Sequence, residues 1–175
     1  MQWNDFYSLL GEIDFWQTVS VIVLWAVVAV VRLQDESYFL TARIVLISEI
    51  AMMGIEMLYE GKWLEIPNNI MIFVWYWTWI SIYLVSLTVL ISQHKKFYLH
   101  VGRVAICVGL AYSAAVLVQL SRYLDRTVWD RNLLVDFYPY AVQTLNFSIV
   151  LVLGLPLALW VFRWLSRCIG RQIKS

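Results

Sequence analysis

Basic residues are missing from the first 31 positions, and histidine occurs only at His94 and His100. The first absence leaves Met1 to Ile13 without the basic start of a secretory leader, and Asp5 and Glu12 lie there instead. A cleaved signal peptide is therefore not expected, and the first apolar run is read as retained. The second absence excludes bis-histidine haem inside a membrane. No HExxH or clustered Cys/His pattern offers a zinc site either. His94 and His100 adjoin Lys95 and Lys96 and are expected as solvated members of a basic turn. The two cysteines, Cys107 in an apolar run and Cys168 in the basic tail, form no CxxC motif and no expected disulfide. Cys107 reads as a small packing residue. A GxSxG elbow, a P-loop and a dinucleotide fingerprint are all lacking. Accordingly no metal, no cofactor and no enzymatic activity is expected, and the charge pattern suits no nucleic acid.

Charge itself is scarce. Of 175 residues, 14% are charged and 62% are hydrophobic, a balance far from that of globular chains. A small soluble core cannot absorb several apolar runs of membrane length. The expected architecture is all-α: a polytopic membrane helical bundle forming one domain over residues 1–175, with the lipid bilayer as its surroundings. Five segments reach the ~20 residues that cross a hydrocarbon core, at about 14–33, 40–60, 68–92, 98–121 and 138–162. The second, holding Arg43, Glu49 and Glu56, is the one that hydropathy alone can miss.

Charge asymmetry supports that span and gives an orientation. With five spans, Arg32, Arg43, Lys95, Lys96, Arg103, Arg163, Arg167, Arg171 and Lys174 share the side of the C-terminus, against Lys62, Arg122, Arg126 and Arg131 opposite. Removing the second span reduces this nine-to-four bias to seven against six. The positive-inside rule then predicts an outside N-terminus and a cytoplasmic C-terminus. A bacterial-type cytoplasmic (inner) membrane is the expected location.

Between and beyond the spans, Trp3, Phe6, Tyr7 and Leu10 fall opposite Asn4, Asp5 and Ser8, which predicts a short amphipathic N-terminal helix on the outer surface. The loop Arg122 to Asp136 is expected as a surface-lying helix, with an outward docking site as the alternative, and Arg126 and Asp130 are spaced for a pair. Pro67 and Pro139 mark helix starts, whereas Pro156 predicts a kink in the last helix. The basic tail after Phe162 suits anionic headgroups.

Helix faces carry the candidate sites. Glu49 and Glu56 are seven residues apart and lie within about 20° of each other, with Glu60 on the same face. Facing lipid, a central acid costs roughly 3 kcal/mol, so the stripe is expected to face protein or water. Arg103, about one turn inside the inner end of the fourth span, is expected either to pair with Glu49 or to snorkel to the interface. Gln143 and Asn146 are placed to bond Glu56 or Gln119, forming a buried polar network. Ala105, Gly109 and Ser113 recur every four residues, the small-residue pattern of close helix packing. Thr78, Ser81, Thr88 and Ser92 read as packing hydroxyls rather than a path.

Two functions follow as expectations. The first is a non-catalytic interaction, accessory or immunity-like subunit of a membrane complex, partnered by other membrane-protein subunits or by copies of itself. The second is an oligomeric proton or cation channel or transporter using Glu49 and Glu56.

Overall fold

The computed structural model describes residues 16–29, 35–60, 68–129 and 131–172. The described residues form five helices and no strand. They are α1 (Trp16–Ala29), α2 (Glu36–Glu60), α3 (Asn68–Lys96), α4 (Arg103–Thr127) and α5 (Phe137–Gln172). Helices α2 to α5 are each long and apolar enough to cross a membrane, and α1 is a shorter apolar helix. The chain is thus an integral membrane helical bundle. The amphipathic helix expected over Met1 to Ile13, and Pro67, lie outside the described residues.

Local chemistry explains most helix ends. Asp35 caps α2: its Oδ1 accepts from the Tyr38 N–H at 3.1 Å and its carbonyl from the Phe39 N–H at 3.0 Å. Helix α3 ends in paired reverse bonds, Leu99 N–H to His94 O and Tyr98 N–H to Lys95 O, with Tyr98 left-handed at φ 52°. Glycine is the usual residue at that C-terminal position, and a residue bearing a Cβ costs roughly 1–2 kcal/mol there. This turn delays the fourth helix, expected from about residue 98, until Arg103. Pro139 sits in the first turn of α5, where its missing N–H is harmless.

Helix α2 is the hub. It packs on α3 and α4, α3 packs on α4, and α4 packs on α5. Helix α1 meets α2 through Gln17 and Glu49 and approaches α5 where Leu24 faces Gly154. Central position explains why 44% of the α2 membrane window is buried, against 11% of that of α5. Of the charged residues that make α2 doubtful as an isolated span, Glu49 is enclosed by the other helices, Glu56 is half-buried and Arg43 is exposed. The apolar core includes Val21, Val28, Val45, Val108, Tyr112 and Ile149. On α3, Tyr76 and Trp79 turn inward while Phe73 and Trp77 stay exposed and meet Tyr123 edge-on. Cys107, expected as a packing residue, is exposed on α4.

Cross-helix bonds set the depth of each helix. Gly102 and Ser37 bond at one end, and Gln119 and Tyr138 near the other. From Gly102 to Arg122 is about 30 Å of helix, the thickness of a hydrocarbon core. Helix α5 covers about 22 Å of this depth between Tyr138 and Leu153, whose carbonyl accepts from the Tyr38 hydroxyl at 2.5 Å. It then continues to Gln172, about 28 Å farther.

Pro156, expected to kink the last helix, lies inside a continuous α5. Lacking an N–H, it leaves the Val152 carbonyl without its helical donor, and Leu153 belongs to the same turn. A neighbouring helix can bond backbone groups near such a proline, and the buried Tyr38 bonds the next carbonyl, that of Leu153, in the turn that the proline weakens. Tyr38→Phe is expected to destabilise the bundle by about 0.5–1.5 kcal/mol, the net worth of one such hydrogen bond. In a Pro156→Ala background the same change is expected to cost measurably less. A double-mutant cycle in detergent measures the coupling, and equal costs in both backgrounds would show that Pro156 has no part in it.

Candidate functional site

A column of buried polar side chains follows the inner faces of α2 and α4. At one end, buried His94 accepts at Nε2 from Ser37, 2.9 Å away, and donates from Nδ1 to the Leu90 carbonyl at 2.8 Å. Ser37 Oγ in turn accepts from the Gly102 N–H at 3.0 Å. These bonds assign the ring tautomer with hydrogen on Nδ1, since the Leu90 carbonyl can only accept and Ser37 already receives the Gly102 proton. One step up α2, Thr41 is fully buried and donates to the Ser37 carbonyl at 2.7 Å. The basic turn predicts a solvated histidine at position 94; three helix ends converge on it instead, whereas His100 and the adjoining lysines are exposed.

Mid-bundle, Ser48 donates to its own helix at the Val45 and Ile44 carbonyls, so the Tyr112 hydroxyl donates to Ser48 Oγ across 2.7 Å. Tyr112 is fully buried and lies against Tyr83, with ring centres 5.7 Å apart. Glu49, 5% exposed, receives the Gln17 amide at 3.4 Å on both oxygens. Those bonds are long, and therefore weak. The expected stripe is thus inward at Glu49; Glu56 is half-buried, and the side chain of Glu60 lies outside the described residues.

At the far end, Arg122 and Asp125 form a buried ion pair with Nη1 2.6 Å from Oδ2. Asp125 also accepts the Leu133 and Leu134 N–H groups at 3.1 and 3.0 Å. The surface helix expected over Arg122 to Asp136 is therefore not formed: α4 continues to Thr127, and Asp125 ties residues 133 and 134 back onto its end. Arg126 is exposed, and Asp130 lies outside the described residues. Gln119 accepts from Tyr138 at 2.8 Å, while Gln143 and Asn146 are half-buried on α5.

Arg103 does not pair with Glu49. It is exposed at the level of Ser37, and Glu49 lies twelve residues, about 18 Å, farther along α2. Ala105, Gly109 and Ser113 do line one face, where a Cβ on Gly109 would stand 3.5 Å from Leu87 of α3. The third-helix hydroxyls bond their own backbone: Thr78 to Val74, Thr88 to Leu84 and Ser92 to Val89.

The column is not continuous. Between Thr41 and Ser48 stand Ala42, Ile44 and Val45, opposite Ala105 and Val108, all buried and none polar in its side chain. That dry layer is about 10 Å deep along α2. Among the described residues no group of three His, Cys, Asp or Glu side chains can hold a metal ion. No protein-family model matches this chain, and no curated protein or solved structure does.

Ser37, Thr41 and Ser48 escaped the acid-centred reading of α2. A signal for them existed, because at 100° per residue the three lie within about 40° of one another. Tyr38 and Tyr112 carried no comparable signal, since a tyrosine in an apolar run reads as bulk until its hydroxyl finds a partner.

Proposed function

We propose that this chain is a non-catalytic accessory or immunity-like subunit that binds another integral membrane protein through the distal part of α5. One observation carries the reading. Helix α5 meets α2 at Leu153 and runs on past it, and every residue from Ala158 to Arg167 is exposed. Leu157 to Phe162 is apolar over more than a full turn, so apolar groups point in all directions. Such a helix is normally buried. Counted from Tyr138, a core about 30 Å thick ends near Ala158 and a headgroup zone of about 5–8 Å ends near Arg163, so the exposed Trp164 and Leu165 lie beyond both. Lipid tails do not reach that far, and a protein partner supplies the missing cover. The orientation argued from basic residues puts this arm on the cytoplasmic side of a bacterial-type inner membrane.

A photocrosslinking residue at position 165, compared with one at exposed Leu117 inside the slab, tests the reading in native membranes. Position 165 is expected to yield a discrete protein adduct and position 117 mainly lipid. Lipid adducts alone at both positions sink the proposal. The competing reading, proton or cation conduction, is favoured by the burial of Glu49 beside Gln17. The dry layer at Val45 weighs against it.

A further inference from the structure

An outward groove of about 710 Å³ runs between α3 and α4, and no residue of α5 lines it. Its floor is made by the small side of α4, at Ala105, Gly109 and Ser113, with Leu87 and Leu90 as the opposite wall. Along α4 it extends from Val101 to Ser113, about 18 Å. The lining is mostly apolar along this length, with the Ser113 hydroxyl bonded to the Gly109 carbonyl, and turns polar at the inner mouth, where buried His94 lies beside exposed Lys95 and Tyr98.

Two independent features of that mouth suit one kind of occupant. Lys95 supplies a compact cation on a flexible stem, which makes a good phosphate partner. The start of α4 adds no anion site, because Ser37 and the Asp35 carboxylate already face Gly102. Tyr98 is 95% exposed and holds the left-handed position that glycine occupies more cheaply. Backbone strain of that sort concentrates where a side chain serves binding, and tyrosine suits the depth at which headgroup meets acyl chain.

We propose that the α3–α4 groove binds an acidic phospholipid, its phosphate at Lys95 and one acyl chain along Ala105, Gly109 and Ser113. Apolar length alone accommodates any lipid; the basic mouth selects an acidic one. Basic sites between membrane helices on the cytoplasmic side recognise such headgroups. Protein docking is disfavoured here because one end of the groove carries the exposed charge of Lys95.

Native mass spectrometry of the full chain, released from nanodiscs of equal phosphatidylglycerol and phosphatidylcholine, tests the site. The wild type is expected to retain phosphatidylglycerol preferentially. Lys95→Gln is expected to reduce that preference about fivefold, the equivalent of the ~1 kcal/mol that a basic residue gains at an acidic surface. Lys96→Gln is the matched control, because Lys96 lies over the Phe97 ring, 5.8 Å from its centre, and does not line the groove. Ser113→Leu fills the acyl channel and is expected to lower retention of both lipids. All three positions are away from the buried core, so folding is expected to be kept, as a circular dichroism melt checks. Equal losses for Lys95→Gln and Lys96→Gln, or a preference unchanged by Lys95→Gln, overturn the proposal. So does loss of the preference when inorganic phosphate is added at millimolar concentration, since a free anion would then be the ligand.

Discussion

Tyr112→Ala is expected to lower the stability of the folded bundle by about 3–5 kcal/mol, the range for removing a large aromatic from a packed interior. Tyr112 is fully buried between α2 and α3 and lies against Tyr83. In a bilayer the lost quantity is close contact, because lipid tails already solvate apolar surface and helix association depends on packing. Tyr112→Phe isolates the hydroxyl. It removes the donor to Ser48, yet Ser48 keeps its own bonds to the Val45 and Ile44 carbonyls, so the loss is expected to be only about 0.6 kcal/mol, the average for polar contacts between membrane helices. Equilibrium unfolding in mixed detergent and SDS micelles compares the two. Should the phenylalanine variant prove as unstable as the alanine one, the energy resides in the hydroxyl and not in the ring.

The second large effect concerns the dry layer. Val45→Asp is expected to cost about 3 kcal/mol, the insertion penalty of an acid at mid-membrane. Val45 is fully buried and faces Val108 and Ala105, which offer no side-chain partner. Val45→Thr keeps the shape and can return its hydroxyl to the Thr41 carbonyl, so it is expected to fold with little loss. That variant also separates the two functional readings. A subunit that works by binding is expected to give the same low proton flux in liposomes whether valine or threonine occupies this position. A large rise in flux with Val45→Thr, abolished by adding Glu49→Gln, would establish a conduction path interrupted only at this layer, and would reverse the order of the readings.

Much of this architecture was legible in the sequence. Apolar run length and the distribution of Lys and Arg placed helices over the observed α2 to α5, because hydrocarbon thickness imposes length and backbone groups in lipid must bond internally. Glu49 facing inward follows from the cost of the alternative. Depth was harder to read. Whether Arg103 reaches Glu49 depends on the offset between two helices, and that offset is decided by Ser37, His94 and Gly102, residues distant in sequence and unremarkable in type. The same holds for α5: its length is visible in its hydropathy, but only the Tyr38 contact reveals that it meets the start of α2 at Leu153. At the Arg122 loop, helical spacing was present without a helix, since Asp125 supplies stronger acceptors for the Leu133 and Leu134 amides than another turn would.

The central place of α2 has a consequence for synthesis. A chain that emerges from its N-terminus inserts α2 before His94, Gly102, Tyr112 and Leu153 exist. Until those later segments arrive, Ser37, Ser48 and Tyr38 hold none of the cross-helix partners that they have in the finished bundle. Gln17 is different, because it lies upstream and is already present to meet Glu49. The first helix is therefore the one neighbour that can already meet Glu49 when α2 inserts, and it keeps that contact in the finished bundle.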